Sequence, residues 1–600
     1  MKKFSFLALL TIFSLGIKSI YTRFEILGTL DASGSAIEVS FLIIFFLLTT
    51  FLNKKPFLYL VLNIIGSFFL LTAVMYFDYY NSIFTYKSLA QAGQLGDIRT
   101  SIYALFKSKY LWFFSDILLM FLLWKNTKKL SQTMLQIRSK LVLILAAINI
   151  IFLSISFFRA SQQISEINQY NTLGFFAYQL MEISSETGTI FRGERDITPE
   201  LVASKKPSHL NTNLQLKGIA ENKNLIIVQL ESVQNFLLNK RIEGVEITPN
   251  LNRLIKESYY FPNFYTQVGK GNTSDAEFLV NSSIFALGNE PMSTAVAGKV
   301  VPSLPRQLKQ AGYFTATFHA NEVSFWSRKE MYEALGFEKY FDQDYFGKED
   351  FIAYGVSDEI LYKKTVEKLA ELKDKKFYAH IIALSSHYPY DLPEIKSQYT
   401  AALPEEYNES IVGSYIKSVS YADYSFGILV EALKNSGLYE NSIIVVYGDH
   451  QGVQTQNKKD TTLINELLGY EYHPILDHLN VPFIVKIPDQ KGKTINSAGG
   501  LIDVYPTIAN LMGLDLGKDV IFGTDLINAT SNTIGIRFYA PTGTFVTDEY
   551  AYTPGKTNDS GLLTSISNRH ESGVTKEAKE ELKKIIHYMK LSDDYVRSFK

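Results

Sequence analysis

The chain has 600 residues, and its 59 Lys and Arg against 60 Asp and Glu leave a formal net charge of −1, so composition gives no reason to expect nucleic acid as a partner. It contains no cysteine. That removes a thiol nucleophile, a thiolate metal site and any disulfide, and a chain of this length is expected to form two or more regions.

Five apolar runs crowd the first 160 residues: Phe4 to Ile20, Ala36 to Leu52, Phe57 to Phe77, Tyr110 to Trp124 and Leu141 to Phe158. Most approach the ~20 residues that a helix needs to cross a bilayer. With charges confined mainly to the gaps, they predict a membrane domain of five helices over residues 1–158. Lys and Arg orient it. Lys2 and Lys3 precede the first run, Lys54 and Lys55 follow the second, and Lys125, Lys128, Lys129, Arg138 and Lys140 lie between the fourth and fifth. All three places are cytoplasmic if every run crosses, which delivers everything after Phe158 to the outside. The first run is short and interrupted by Lys18, so a cleaved signal peptide is the alternative; later sidedness is the same either way.

Residues 159–223 read as a juxtamembrane helix and linker. "YNTLGFFAYQLMEI" fits an interfacial helix or one packed on the globular domain, and "ITPELVASKKPSHLNTN" reads as linker without an apolar face. From Asn224 short apolar runs alternate with longer amphipathic ones. "NLIIVQLES", "YFTATFHA", "FYAHIIALSSH", "SIIVVYGDH" and "VPFIVKIP" predict buried strands. "TPNLNRLIKES", "SLPRQLKQAG", "SDEILYKKTVEKLAELK", "SVSYADYSFGILVEALKNSG" and "LIDVYPTIANLMG" predict helices. The alternation predicts an α/β domain over residues 224–600 with a mostly parallel sheet.

Sites in open α/β sheets form beyond the carboxyl ends of strands. Glu231 closes the first predicted strand, His319 the second, His387 follows the third, and Asp449 with His450 closes the fourth. Each alone is as well explained by a solvated or hydrogen-bonded side chain; four together are harder to dismiss. Glu231, Asp449 and His450 supply two carboxylates and an imidazole, a set suited to Mn²⁺, Mg²⁺ or Zn²⁺. "GKGNTSDAEF", Gly269 to Phe278, combines tight-turn glycines with a helix start, and its free N–H groups favour a phosphate. An ordinary cap at Asn272 or Thr273 is the bland reading. The other reading completes the metal shell with the Thr273 hydroxyl and makes it a nucleophile, with the glycines admitting substrate close to the backbone.

At these motifs the chain resembles the sulfatase-like branch of the alkaline phosphatase superfamily, and within it the lipoteichoic acid synthases of Gram-positive bacteria. "TPNLNRLIKESYYFPNFY", "GDH" and "IDVYPTIANLMGL" resemble the sulfatase framework. "GKGNTSDAEF", "FHANEVSFWSRKEMYEALGF" and "SSHYPY" resemble the synthase branch. The resemblance implies a metal site at Glu231, Thr273, Asp449 and His450, with Mn²⁺ as the metal and Thr273 as nucleophile. It implies a glycerol phosphate pocket at His319, Trp326, Arg328 and His387. It further implies an extracellular catalytic domain that takes glycerol phosphate from phosphatidylglycerol onto Thr273, releases diacylglycerol, and passes the group to a growing chain on a glycolipid or to its first unit. "LVAS" around Ala203 is a loose version of the family's cleavage site. A phosphoethanolamine transferase is the rival, although that family commonly carries disulfides; a non-catalytic membrane assembly protein is a third reading. A sulfatase is disfavoured, because "TSDAE" stands where its Cys/Ser-x-Pro-x-Arg would be.

Overall fold

The computed structural model of the protein describes residues 2–4, 6–30, 32–48, 57–89, 99–125, 135–137, 139–190, 196–211, 213–372, 374–453, 457–555 and 560–599. They form two compact units: residues 1–193 with 554–560, and residues 194–553 with 561–600.

The first unit is helical: α1 (Phe6–Leu27), α2 (Ala32–Leu48), α3 (Phe57–Tyr80), α4 (Ile117–Lys125), α5 (Ser139–Ser161) and α6 (Glu166–Ile190) carry most of it. Among the described residues, 3 helices are long and apolar enough to cross a membrane, Leu7–Leu27, Phe57–Tyr80 and Lys140–Ser161. The expected five are not all found among them, and residues 49–56 and 126–134, which adjoin the second and fourth runs, lie outside the described residues. The apolar part of α2, Gly34–Phe45, is too short, and Lys54 and Lys55 lie outside the described residues, as do Lys128, Lys129 and Arg138. The run from Tyr110 to Trp124 is divided into a 3₁₀ turn, Ser108–Phe114, and the nine-residue α4. The division falls beside Asp116, whose carboxylate accepts from Lys18 Nζ at 2.6 Å, Asn63 Nδ2 at 2.7 Å and Ser14 Oγ at 2.5 Å. Lys18, which interrupts the first apolar run in sequence, is therefore paired inside the unit.

Lys2–Phe4 pairs antiparallel with Leu135–Ile137, so the segment before α1 and the segment before α5 meet. In the "YNTLGFFAYQLMEI" stretch, Tyr170, Leu173, Phe175, Ala177 and Tyr178 are buried within the helical unit, alongside Leu42, Leu70 and Val74.

The second unit is built on eight strands: β1 (Asn224–Leu230), β2 (Tyr259–Tyr260), β3 (Phe314–His319), β4 (Lys339–Phe341), β5 (Phe377–Ile382), β6 (Ser442–Gly448), β7 (Phe483–Lys486) and β8 (Lys493–Thr494). Their spatial order is β4-β3-β5-β1-β6-β7-β2-β8. Every residue of β1, β5 and β6 is buried, as their unbroken apolar runs require of strands covered on both faces. β4, β3, β5, β1 and β6 are mutually parallel. β7 is antiparallel to both β6 and β2, and β8 is parallel to β2, so the sheet is mixed, with β7 alone running against the other seven strands. The antiparallel turn arises because the chain leaves β6 and enters β7 at the same edge of the sheet, with no crossover between them.

A separate five-stranded sheet runs from Ile534 to Gly573. The stretch expected as linker is ordered within the second unit. Thr198 caps a helix over Pro199–Lys205 by accepting from Leu201 N at 3.3 Å, Val202 is buried, and His209 pairs with Ser531.

Candidate metal and phosphoryl-transfer site

Register decides where the polar residues meet. Ile382 of β5 lies opposite both His319 and Gln229, and Gly448 lies opposite Leu230. The carboxyl ends of four parallel strands are thus aligned, and Glu231 and Asp449 are the next residues beyond two of them. Ser232 takes a left-handed conformation (φ 57°) that turns its N–H back to Asp449 Oδ1 at 2.8 Å. The His450 N–H donates to the same oxygen at 2.7 Å.

Glu231, Asp449 and His450 are buried and place a ligand atom each within 4.8 Å of one another. Thr273, the first residue of α7 (Thr273–Ser282), joins them. Its hydroxyl donates to Glu231 Oε2 at 3.1 Å and lies 3.4 Å from His450 Nε2. His450 Nδ1 lies 2.8 Å from the Gln451 carbonyl; donating its proton there leaves the Nε2 lone pair facing the cluster, the tautomer a metal needs. Asp449 Oδ2 is buried with no hydrogen-bond partner among the described residues. Burial, and then the negative charge of Glu231, hold the Asp449 carboxyl well above the usual carboxylate range. Burial would raise Glu231 too, but the charges of His387 and His450, with the hydrogen bond from the Ser232 hydroxyl, keep it below that range. Two carboxylates, a ring nitrogen and an orphaned oxygen fit a divalent cation.

The glycine loop has a different rationale from the one expected. Asp275 Oδ2 accepts from Gly269 N and Gly271 N, both at 3.0 Å, and Oδ1 accepts from Met292 N at 2.8 Å. A Cβ on Gly271 would stand 2.2 Å from Asp275 Oδ1, and one on Gly269 would stand 2.7 Å from the Leu287 carbonyl. The glycines make room for this buried carboxylate. Ser274 N donates to Gly271 O at 3.0 Å, which uses one of the donors expected for a phosphate. Asn272 precedes the helix at φ 42° without capping it; its side chain accepts from the buried Tyr539 hydroxyl. Asp275 reads as a mere helix-start acid in sequence, and only the fold identifies its role.

Arg328 opens α8 (Arg328–Leu335) and is buried. Its Nε donates to Glu277 Oε1 at 2.8 Å, and Nη1 to the Phe325 carbonyl at 3.4 Å. Glu277 Oε2 accepts from the Tyr332 hydroxyl at 2.6 Å. Sequence reasoning missed Glu277 and Tyr332; the available signal was an acid one turn after Thr273. His319 Nδ1 lies 3.0 Å from the Ile382 carbonyl and His387 Nδ1 2.7 Å from the Tyr388 carbonyl, so both rings keep Nε2 available. Burial, reinforced by the charges of Arg328, His380 and His387, pushes His319 well below its ordinary value, so it is neutral. His387 packs edge-on against Tyr354 with centroids 4.8 Å apart. Trp326 is half-buried in a left-handed turn (φ 60°) two residues before Arg328, with its ring against Phe325, and is not a core residue.

The sulfatase family profile matches residues 223–514, which hold the sheet and this cluster. The profile of the lipoteichoic acid synthase N-terminal domain matches residues 1–189. Lipoteichoic acid synthase 1 of Bacillus subtilis (strain 168) is 30% identical over 574 residues, covering 91% of this chain and 86% of its own. Lipoteichoic acid synthase of Staphylococcus aureus (strain USA300) is 31% identical over 530 residues, covering 84% and 80%. The crystal structure of the lipoteichoic acid synthase LtaP from Listeria monocytogenes aligns with TM-score 0.64 and 36% identity, over 67% of this chain and 99% of that one. The chain belongs to the lipoteichoic acid synthase family.

Proposed function

We propose that the protein is a phosphoglycerol transferase of lipoteichoic acid synthesis that takes glycerol phosphate from phosphatidylglycerol through a covalent intermediate on Thr273. One observation carries this reading: the Thr273 hydroxyl sits 3.1 Å from Glu231 and 3.4 Å from His450 Nε2, in a cluster whose Asp449 Oδ2 is buried without a partner. Glu231, Asp449, His450 and the Thr273 oxygen would hold the divalent metal, most simply Mn²⁺, which when bound supplies positive charge to the phosphoryl oxygens and acidity to the hydroxyl.

Thr273 Oγ attacks phosphorus as the bond to the diacylglycerol oxygen breaks, and that oxygen leaves with a proton as diacylglycerol. A glycerol hydroxyl of the acceptor then attacks the same phosphorus; the bond to Thr273 breaks and its hydroxyl is restored. Splitting the transfer in two lets one pocket serve donor and acceptor in turn. Arg328 presents its remaining guanidinium nitrogen to the phosphoryl oxygens. The Nε2 atoms of His319 and His387 hydrogen-bond the glycerol hydroxyls, His387 also carrying the proton to the leaving oxygen. Trp326 walls the pocket.

The domains proposed are a membrane part over residues 1–158, a juxtamembrane stretch over 159–223 and an extracellular catalytic part over 224–600. Release near Ala203 would require unwinding of the Pro199–Lys205 helix.

The reading is tested by incubating the detergent-solubilised protein with mixed phosphatidylglycerol and phosphatidylethanolamine, with and without Mn²⁺, and following lipids by mass spectrometry. Metal-dependent loss of phosphatidylglycerol with appearance of diacylglycerol is expected. Preferential loss of phosphatidylethanolamine would overturn the head-group assignment in favour of a phosphoethanolamine transferase. Long glycerol phosphate chains would identify a polymerase, and single additions a priming enzyme. Single cysteines introduced between Lys125 and Lys140 and just after Arg159 should label from opposite sides of the membrane, and labelling of both from outside would defeat the proposed sidedness.

A further inference from the structure

Glu277 has no place in the mechanism above, yet it is the charged partner of a residue that does. Its side chain is 1% exposed and that of Arg328 is 2% exposed. The carboxylate engages α8 twice, through Arg328 Nε at 2.8 Å and the Tyr332 hydroxyl at 2.6 Å. Arg328 and Tyr332 stand four residues apart on α8, and Glu277 stands four residues after Thr273 on α7, so each pair shares one helix face. One carboxylate therefore joins the helix that begins with the nucleophile to the helix that begins with the phosphate-holding arginine.

The nitrogens that this leaves are also informative. Nε is taken by Glu277, Nη1 is held at 3.4 Å by the carbonyl of Phe325, and among the described residues no hydrogen bond engages Nη2. A guanidinium held along one edge offers its other edge in a fixed direction, which a freely rotating arginine does not. The Phe325 contact closes the turn that carries Trp326 and Ser327, both left-handed at φ 60° and 50°. Arg328 so held also orders the loop between His319 and α8. Left without Glu277, a buried guanidinium would turn toward other negative charge, and Glu231 is close enough for the two to interact.

We infer that Glu277 is a positioning residue for the transfer: with Tyr332 it locks Arg328 so that the free guanidinium edge meets the phosphoryl group moving on and off Thr273. This rests on the proposed phosphoglycerol transfer at Thr273. Glu277 itself touches neither substrate nor reacting atoms, and its effect passes entirely through Arg328.

The test is a double-mutant cycle on the full-length protein, with kcat/KM for phosphatidylglycerol and thermal stability measured for wild type, Glu277→Gln, Arg328→Met and the double variant. Glu277→Gln should lower kcat/KM roughly 10- to 100-fold, the range of one charge-assisted hydrogen bond. In the Arg328→Met background the same change should cost less than twofold, because the residue it positions is gone. An equal loss in both backgrounds, or a Glu277→Gln variant within twofold of wild type, overturns the inference. If Glu277→Gln does not fold, Tyr332→Phe, which removes the second anchor of Glu277, is run in the same two backgrounds and read by the same criterion. Failure of wild type to consume phosphatidylglycerol would instead defeat the functional reading, so the two failures are distinguishable.

Discussion

Two buried charged clusters, one in each unit, are balanced differently. In the helical unit, Lys18 Nζ donates to Asp116 at 2.6 Å, to Ser67 Oγ at 2.8 Å and to Asn63 Oδ1 at 3.3 Å, while Asn63 Nδ2 and Ser14 fill the remaining acceptor sites of Asp116. One positive charge meets one negative charge. In the sheet unit, Glu231 and Asp449 bring two carboxylates against an imidazole and a hydroxyl, and Asp449 Oδ2 is left without a partner. The first arrangement is complete within the chain and ties α1 and α3 to the segment before α4. The second has a surplus of negative charge at a point where the sheet opens, and such a surplus is stable only with a cation or a bound proton. A buried polar cluster that is satisfied is architecture; one that is not points to a ligand.

The largest expected effect falls on the unbalanced cluster. Thr273→Ala should reduce turnover roughly 10⁴-fold or more, as loss of a nucleophile does, while the melting temperature of the metal-free protein changes little. Glu231→Ala and Asp449→Ala should lose the metal as well as activity, seen by elemental analysis of the purified protein. In wild type, metal at a hundredfold excess over its Kd should add about 2.7 kcal/mol of stability, and Asp449→Asn should abolish that gain. A wild type indifferent to metal in its melting would remove the contrast between the two clusters.

In the balanced cluster the signs reverse. Lys18→Met should destabilise the helical unit by about 3–5 kcal/mol by stranding Asp116, and Lys18→Met with Asp116→Leu should recover most of the loss. Differential unfolding in detergent would show it. Smallest is Asp275→Asn, which turns an amide NH₂ toward backbone donors and should cost about 1–3 kcal/mol. Because Asp275 braces the loop before Thr273, it should also lower kcat.

Much of this was legible in the sequence. The five strand candidates all form strands, because unbroken apolar runs leave β1, β5 and β6 no alternative to burial on both faces. Strand ends also pointed to Glu231, His319, Asp449 and His450, since parallel strands deliver their next residues to one edge. What the sequence could not convey was pairing across distance. Lys18 and Asp116 are 98 residues apart, and each alone looks like a flaw in an apolar run. Glu277 and Arg328 are 51 apart, so Arg328 looked free for phosphate when one edge was already taken. The direction of β7 was illegible for a related reason: an apolar run signals a strand but not which edge the chain enters from. The segment from Ile197 to Asn213 looked like linker because its partners, Ser531 among them, lie more than 300 residues away.

The central claim is that the unbalanced cluster makes Thr273 a nucleophile, and the most direct measurement is mass spectrometry of the acid-quenched protein after brief exposure to phosphatidylglycerol and Mn²⁺. The account predicts a glycerophosphoryl group on Thr273 of the peptide containing "GNTSDAEF", absent without metal and absent in Thr273→Ala. Turnover by Thr273→Ala at a rate near that of wild type, or a glycerophosphoryl group on a different residue, would contradict it.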